Sequence, residues 1–200
     1  MRNIKSGNPF LLILGLAGAA ALTAGTAAAD TFVPLPDGHD HFTMADGATV
    51  TLDRTGEHAT VCASMAASPL SRNVWVSGVA TARIEGPARI GIQGGTIETG
   101  YLLGCQVDLG NGLAVGQGDG DGTKPDPSTT LRLAPGKVVT VPLNSFDFTG
   151  NSGTTEYVDK TLAIEGCAGY AQARAYTTVT VHDVVMDDSQ TLWGAPFSIG

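Results

Sequence analysis

The chain has 200 residues with 11 Lys/Arg against 19 Asp/Glu, a formal net charge of −8. Hydrophobic residues make up 42% and charged ones 15% of it, enough apolar material for a folded core. A scattered acidic surface repels nucleic acid and anionic headgroups, so neither is expected as a partner.

In chain order, Met1 to Ala29 has the three parts of a secretory leader. Arg2 and Lys5 supply charge, Phe10 to Leu16 an apolar run, and Ala27-Ala28-Ala29 a small-residue cleavage site. Cleavage is expected after Ala29, leaving a domain from Asp30 to Gly200 with a net charge of about −10. Export permits disulfides. Three cysteines, Cys62, Cys105 and Cys167, allow three pairings and leave one thiol over. Cys105 and Cys167 each follow a glycine in an apolar strand context, which favours that pair.

Asp37-Gly38, Asp46-Gly47 and Thr55-Gly56 are turn signals at regular spacing, with alternating runs such as Ala48 to Asp53 between them. Further strands are expected over Ala59 to Met65, Asn73 to Ile84, Lys137 to Leu143, Thr155 to Glu165 and Tyr170 to Val184. Pro142 assigns its strand to a sheet edge, and Phe146 to Thr154 reads as a turn-rich loop. No helix is expected, and the pattern as a whole predicts an all-β sandwich or barrel.

The segment from Gly95 to Lys137 stands apart. Ile97, Tyr101, Leu103, Cys105, Val107 and Leu109 recur at odd positions, which places an apolar face on one extended strand. From Gly110 to Thr130 the chain turns to glycine, aspartate, proline and small polar residues, and strand composition returns at Leu131. A strand therefore leaves the domain, the chain makes an acidic excursion, and a second strand brings it back.

Motifs for chemistry are weak. His39 and His41 share one side of a strand, but two imidazoles do not complete a zinc site. Asp119-Gly-Asp121 opens like a calcium loop, yet Lys124 stands where that loop needs glycine and Thr130 where it needs glutamate. No nucleophile elbow is present. Neither enzymatic activity nor a metal or cofactor is expected.

Several segments together resemble the MspA-type porin family of mycolic-acid outer membranes. They are Leu35-Pro-Asp-Gly38, Asn73-Val-Trp-Val-Ser-Gly78, Gly95-Thr-Ile-Glu-Thr-Gly-Tyr-Leu-Leu-Gly104, Leu133-Ala-Pro-Gly136, Gly166-Cys-Ala-Gly169, Arg174-Ala-Tyr176 and Trp193-Gly-Ala-Pro-Phe197. The resemblance implies a β-sandwich subunit in a ring of typically eight copies, each lending one long hairpin to a shared membrane barrel. It sets that hairpin at about residues 106–131 of this sequence. With a four-residue tip this leaves about eleven residues per arm, against the roughly 9–11 a tilted membrane strand needs. Asp119, Asp121 and Asp126 become candidate pore-lining residues, and carboxylate rings favour cations. The same aspartates also suit plain turns with glycine. The arm that returns carries Pro125 and Pro127, and no Phe, Tyr or Trp lies between Gln106 and Asn144. The implied function is an outer-membrane porin subunit for small hydrophilic solutes, touching lipid through the hairpin. The alternative is a secreted or envelope β-sandwich, binding or structural in role, whose shortened hairpin forms no pore.

Overall fold

The computed structural model describes residues 30–45, 47–63, 70–86, 93–108, 115–118, 138–184 and 187–200. The leader expected at residues 1–29 lies outside them.

Among the described residues ten strands form two antiparallel sheets. They are β1 (Thr31–Pro34), β2 (Gly38–Thr43), β3 (Thr49–Ala63), β4 (Arg72–Glu85), β5 (Gly94–Asp108), β6 (Val115–Gly118), β7 (Val138–Thr149), β8 (Ser152–Ile164), β9 (Cys167–His182) and β10 (Asp187–Ser198). The first sheet runs β1-β3-β4-β8-β6, with β2 also paired to β3, and the second runs β10-β9-β5-β7. Of the all-β sandwich or barrel expected from the turn spacing, the sandwich that the family resemblance implies is the fold observed.

Alternation makes the layers. On β4, Val74, Val76, Ala80, Ala82 and Ile84 are buried, while Trp75, Arg83 and Glu85 face out. On β5, Ile97, Tyr101, Leu103 and Cys105 turn inward as the period of two requires. Val107 does not follow them. A register shift between Cys105 and Val107 turns it to solvent. Fully burying a leucine or isoleucine is worth roughly 1.5–3 kcal/mol. Leu52, Ile97, Leu103 and Leu162, all without solvent contact, are thus the anchors of the core.

Two expectations of local structure change in the fold. Thr55-Gly56 is not a turn between strands. β3 continues through it, with a register shift between Thr55 and His58 and Gly56 at φ 64°. Pairing with β4 on both sides of the irregularity outweighs the local turn preference. Residues 146–149 likewise belong to β7 rather than a loop, because Phe146 pairs with Ile97 and Phe148 packs into the core. β7 is the edge of its sheet, where Pro142 removes no needed donor.

The apolar core has two clusters, one around Tyr101, Leu103 and Leu162, the other around Leu52, Ile97 and Val179. Arg54 and Glu57 stand on β3 between Leu52 of one and Ala59 of the other. Both are almost fully buried, and Arg54 Nε is ion-paired with Glu57 Oε2. Arg54 Nη1 also donates to the Leu192 carbonyl at 3.3 Å. The Tyr101 hydroxyl donates to Glu57 Oε1 at 2.9 Å and lies 3.3 Å from the Tyr157 hydroxyl. Glycines make room: a Cβ at Gly78 would fall 2.7 Å from the Tyr157 oxygen, and one at Gly194 2.7 Å from Arg54 Nη2.

Candidate functional site: the root of the excursion

The excursion leaves and re-enters the sandwich on neighbouring strands. β5 and β7 are hydrogen-bonded antiparallel, and their last partners at this end are Gly104 and Val138. One strand leaves the sheet and its antiparallel neighbour returns to it at the same end, the placement that the base of a hairpin requires. β5 alone runs further, paired with β9 as far as Asp108 opposite Cys167.

The root is fixed covalently. Cys105 and Cys167 form a disulfide across β5 and β9, with their Cα atoms 5.9 Å apart. The Cys167 amide donates to the Leu70 carbonyl at 2.9 Å, tying this strand end to the chain entering β4. The Tyr170 amide donates to Gln106 Oε1 at 3.4 Å. Strand β5 is thus held on both sides, by the β7 ladder and by the bridge to β9, up to the point where the excursion begins. Cys62, the thiol left over, is free and buried. Burial pushes its pKa up, and the neighbouring Asp30 carboxylate adds to the rise.

Of the hairpin expected at 106–131, residues 106–108 prolong β5 inside the sandwich. Residues 115–118 form β6, which lies antiparallel along the outer edge of β8, Val115 opposite Ile164 and Gly118 opposite Thr161. Asp119, Asp121 and Asp126 lie outside the described residues. His39 and His41 do share the exposed side of β2, with ring centroids 6.4 Å apart. His39 Nδ1 is 2.6 Å from Asp53 Oδ1. Among the described residues no group of three metal-binding side chains comes together.

One constellation has the residue types of a catalytic triad without its logic. Thr96 Oγ1 lies 3.1 Å from His182 Nε2, and His182 Nδ1 lies 3.1 Å from Asp187 Oδ1. The threonine hydroxyl, however, donates to Asp147 Oδ1 at 2.7 Å, so its lone pair faces the imidazole. The chain Asp147–Thr96–His182–Asp187 crosses β7, β5, β9 and β10 and serves as a polar tie across one end of the sheet. Sequence reasoning missed the Arg54–Glu57–Tyr101–Tyr157 cluster. A signal for half of it was present, since continuing the inward parity of Val50 and Leu52 reaches Arg54.

No curated protein matches the sequence. A family model described as MspA matches residues 46–198, most of the chain and nearly all of the sandwich. That family consists of oligomeric porins of the outer membrane and is not enzymatic, and the hairpin base between β5 and β7 lies within the matched region. The chain is a member of the MspA porin family.

Proposed function

We propose that this protein is one subunit of a ring-shaped outer-membrane channel for small hydrophilic solutes. In it the chain between Gly104 and Val138 forms a two-stranded contribution to a shared barrel. The observation that carries this reading is the paired ending of β5 and β7 beside the Cys105–Cys167 bridge, a rigid hairpin base aimed out of the sandwich. A lone hairpin in lipid leaves backbone groups unpaired at several kcal/mol each, and only closure with neighbouring copies satisfies them. Eight copies would supply sixteen strands, a count that leaves an aqueous channel. Asp119, Asp121 and Asp126 would ring that channel and favour cations. Strand β6 must leave β8 for this to happen, because residues in an extended arm cannot also pair with the body.

The test is planar-bilayer conductance of the detergent-purified oligomer, with reversal potential in a salt gradient. Cation-selective channels are expected. Asp119→Asn with Asp121→Asn should lower cation preference, and lower conductance more at low salt than at high salt, where screening already hides fixed charge. A confirmed oligomer that never conducts overturns the reading. The position of β6 favours one rival, an envelope or secreted sandwich whose excursion stays folded against its own edge strand. That rival predicts a monomer soluble without detergent.

A further inference from the structure

Thr99 and Thr177 carry hydroxyls that the fold takes out of solvent without giving them a partner. Thr99 is 1% and Thr177 0% exposed, and among the described residues neither Oγ1 has a hydrogen-bonding partner. Strand parity puts both inside. Thr99 lies between the buried Ile97 and Tyr101 on β5, and Thr177 between the buried Ala175 and Val179 on β9. The two are direct partners in the β5–β9 ladder. Opposed threonines on one face of a sheet can bond to each other, yet these make no such bond. A buried hydroxyl left unpaired is costly, and native proteins satisfy nearly all of them with protein groups or ordered water.

Register shows what lies over them. One row of the second sheet runs Leu192, Thr177, Thr99 and Asn144 across β10, β9, β5 and β7. One row of the first runs Arg54, Ala80 and Thr155 across β3, β4 and β8. The rows are tied to each other at both edges. Arg54 Nη1 donates to the Leu192 carbonyl at one, and Asn144 Nδ2 donates to Thr155 Oγ1 at 2.7 Å at the other. Between the ties the first sheet sets the buried Ala80, a methyl group, against two hydroxyls. Sheets pack about 10 Å apart, so a side chain this short leaves space that a larger core residue would fill. The pairing is irregular at the same level, where the β3–β4, β4–β8, β5–β7 and β9–β10 ladders each slip beside these rows. The rows also fall where the two apolar clusters meet.

We propose that one water molecule is built into the sandwich at this layer, hydrogen-bonded to Thr99 Oγ1 and Thr177 Oγ1 beneath Ala80. Each hydroxyl offers one donor and two acceptor positions, and an internal water takes about 2–4 hydrogen bonds. The occupant is neutral, because the charge of this layer, Arg54, is already matched by Glu57 and an ion of either sign would stand unpaired. The water bridges β5 to β9 through side chains as the ladder does through backbone. It is independent of the porin reading, since it belongs to the body of each subunit whether or not the subunits assemble.

Oxygen-17 relaxation dispersion of the solvent counts long-lived internal water in the mature protein. Thr99→Val with Thr177→Val keeps the side-chain shape and removes both hydroxyls, so the dispersion amplitude should fall by about one water. Each single variant leaves the water with one anchor and should lower the folding equilibrium constant in urea unfolding about tenfold. The double variant loses the water and both hydroxyls together and should return to within about threefold of wild type. Orphaned hydroxyls predict the opposite sign: each valine stabilises and the two effects add, an outcome that overturns the site. Single variants that destabilise, with no change of amplitude in the double, assign a direct hydroxyl pair and overturn it as well. Ala80→Val keeps both hydroxyls and fills the space from the opposite wall, which matters if the double variant does not fold. It should lose the same water, and an unchanged amplitude in it overturns the site. Wild-type protein with no dispersion overturns it without any variant.

Discussion

Removing the carboxylate of Glu57 should cost this fold far more than its single charge suggests. Arg54 and Glu57 are each 1% exposed at the side chain. In Glu57→Leu the guanidinium stays buried with the Leu192 carbonyl, 3.3 Å away, as its remaining hydrogen-bonding neighbour in this cluster. The Tyr101 hydroxyl loses its 2.9 Å acceptor and keeps the longer contact to Tyr157. Breaking one side of a buried pair costs about 3–5 kcal/mol, mostly the stranded charge. For a domain of this size that lowers Tm by roughly 6–20 °C at 2–4 °C per kcal/mol. Arg54→Met added to Glu57→Leu removes the stranded charge, and should recover all but about 1–2 kcal/mol, since an apolar replacement of a buried pair is often close to neutral. Reversible urea unfolding of the monomeric domain, followed by circular dichroism, measures both. A single variant within about 1 kcal/mol of wild type, or a double variant no better than the single, would refute the reasoning. Burial holds the Glu57 carboxyl above its usual pKa, with Arg54 and Tyr101 opposing but not cancelling the rise. A carboxyl raised in the folded state binds its proton more tightly there than when unfolded. Its contribution to stability is therefore full below the unfolded value near 4.5 and lost as pH rises through the folded one. Glu57→Gln should abolish that slope.

Alkaline unfolding follows from the same sign. Burial pushes Tyr157 up to about 12 and holds Tyr101 well above its ordinary value, while burial and Glu98 raise Tyr176. Their contributions are full below pH 10 and lost above it, so phenolate absorbance from these three should rise together with loss of structure, and separate steps in folded protein would contradict it. Breaking the Cys105–Cys167 bridge, which closes a separation of 62 residues, should destabilise by about 4 kcal/mol in the chain-entropy model. Cys62 should resist a thiol reagent until the domain unfolds, and prompt labelling of native protein would contradict its burial. Cysteines at Gly116 and Ala163, which face each other in the β6–β8 register, should oxidise to a strap that blocks channel formation until reduced. Wild type under the same reductant is the control, and conductance with the strap intact would show that β6 need not leave β8.

Much of the fold was legible in the sequence because the dominant force acts locally on a strand. A period of two at Ile97, Tyr101, Leu103 and Cys105 fixes which face of β5 is wet, and Pro142 marks an edge since it has no donor to lose. The all-β class, and the exit of the chain along β5 with its return along β7, follow from such patterns. Tertiary structure decided what depends on pairing between distant segments. Thr55-Gly56 carries a turn signal, but ladder bonds to β4 on either side keep β3 continuous and reduce the signal to a bulge. Arg54 and Glu57 are charged residues whose burial becomes tolerable only when Tyr101, 44 positions from Glu57, and Leu192, 138 positions from Arg54, supply partners. Val107 belongs to the apolar parity of β5, yet one register shift turns it outward. A sequence ranks residues by what their neighbours in the chain allow. Only the folded sheets bring Arg54, Glu57, Tyr101 and Leu192 together from β3, β5 and β10.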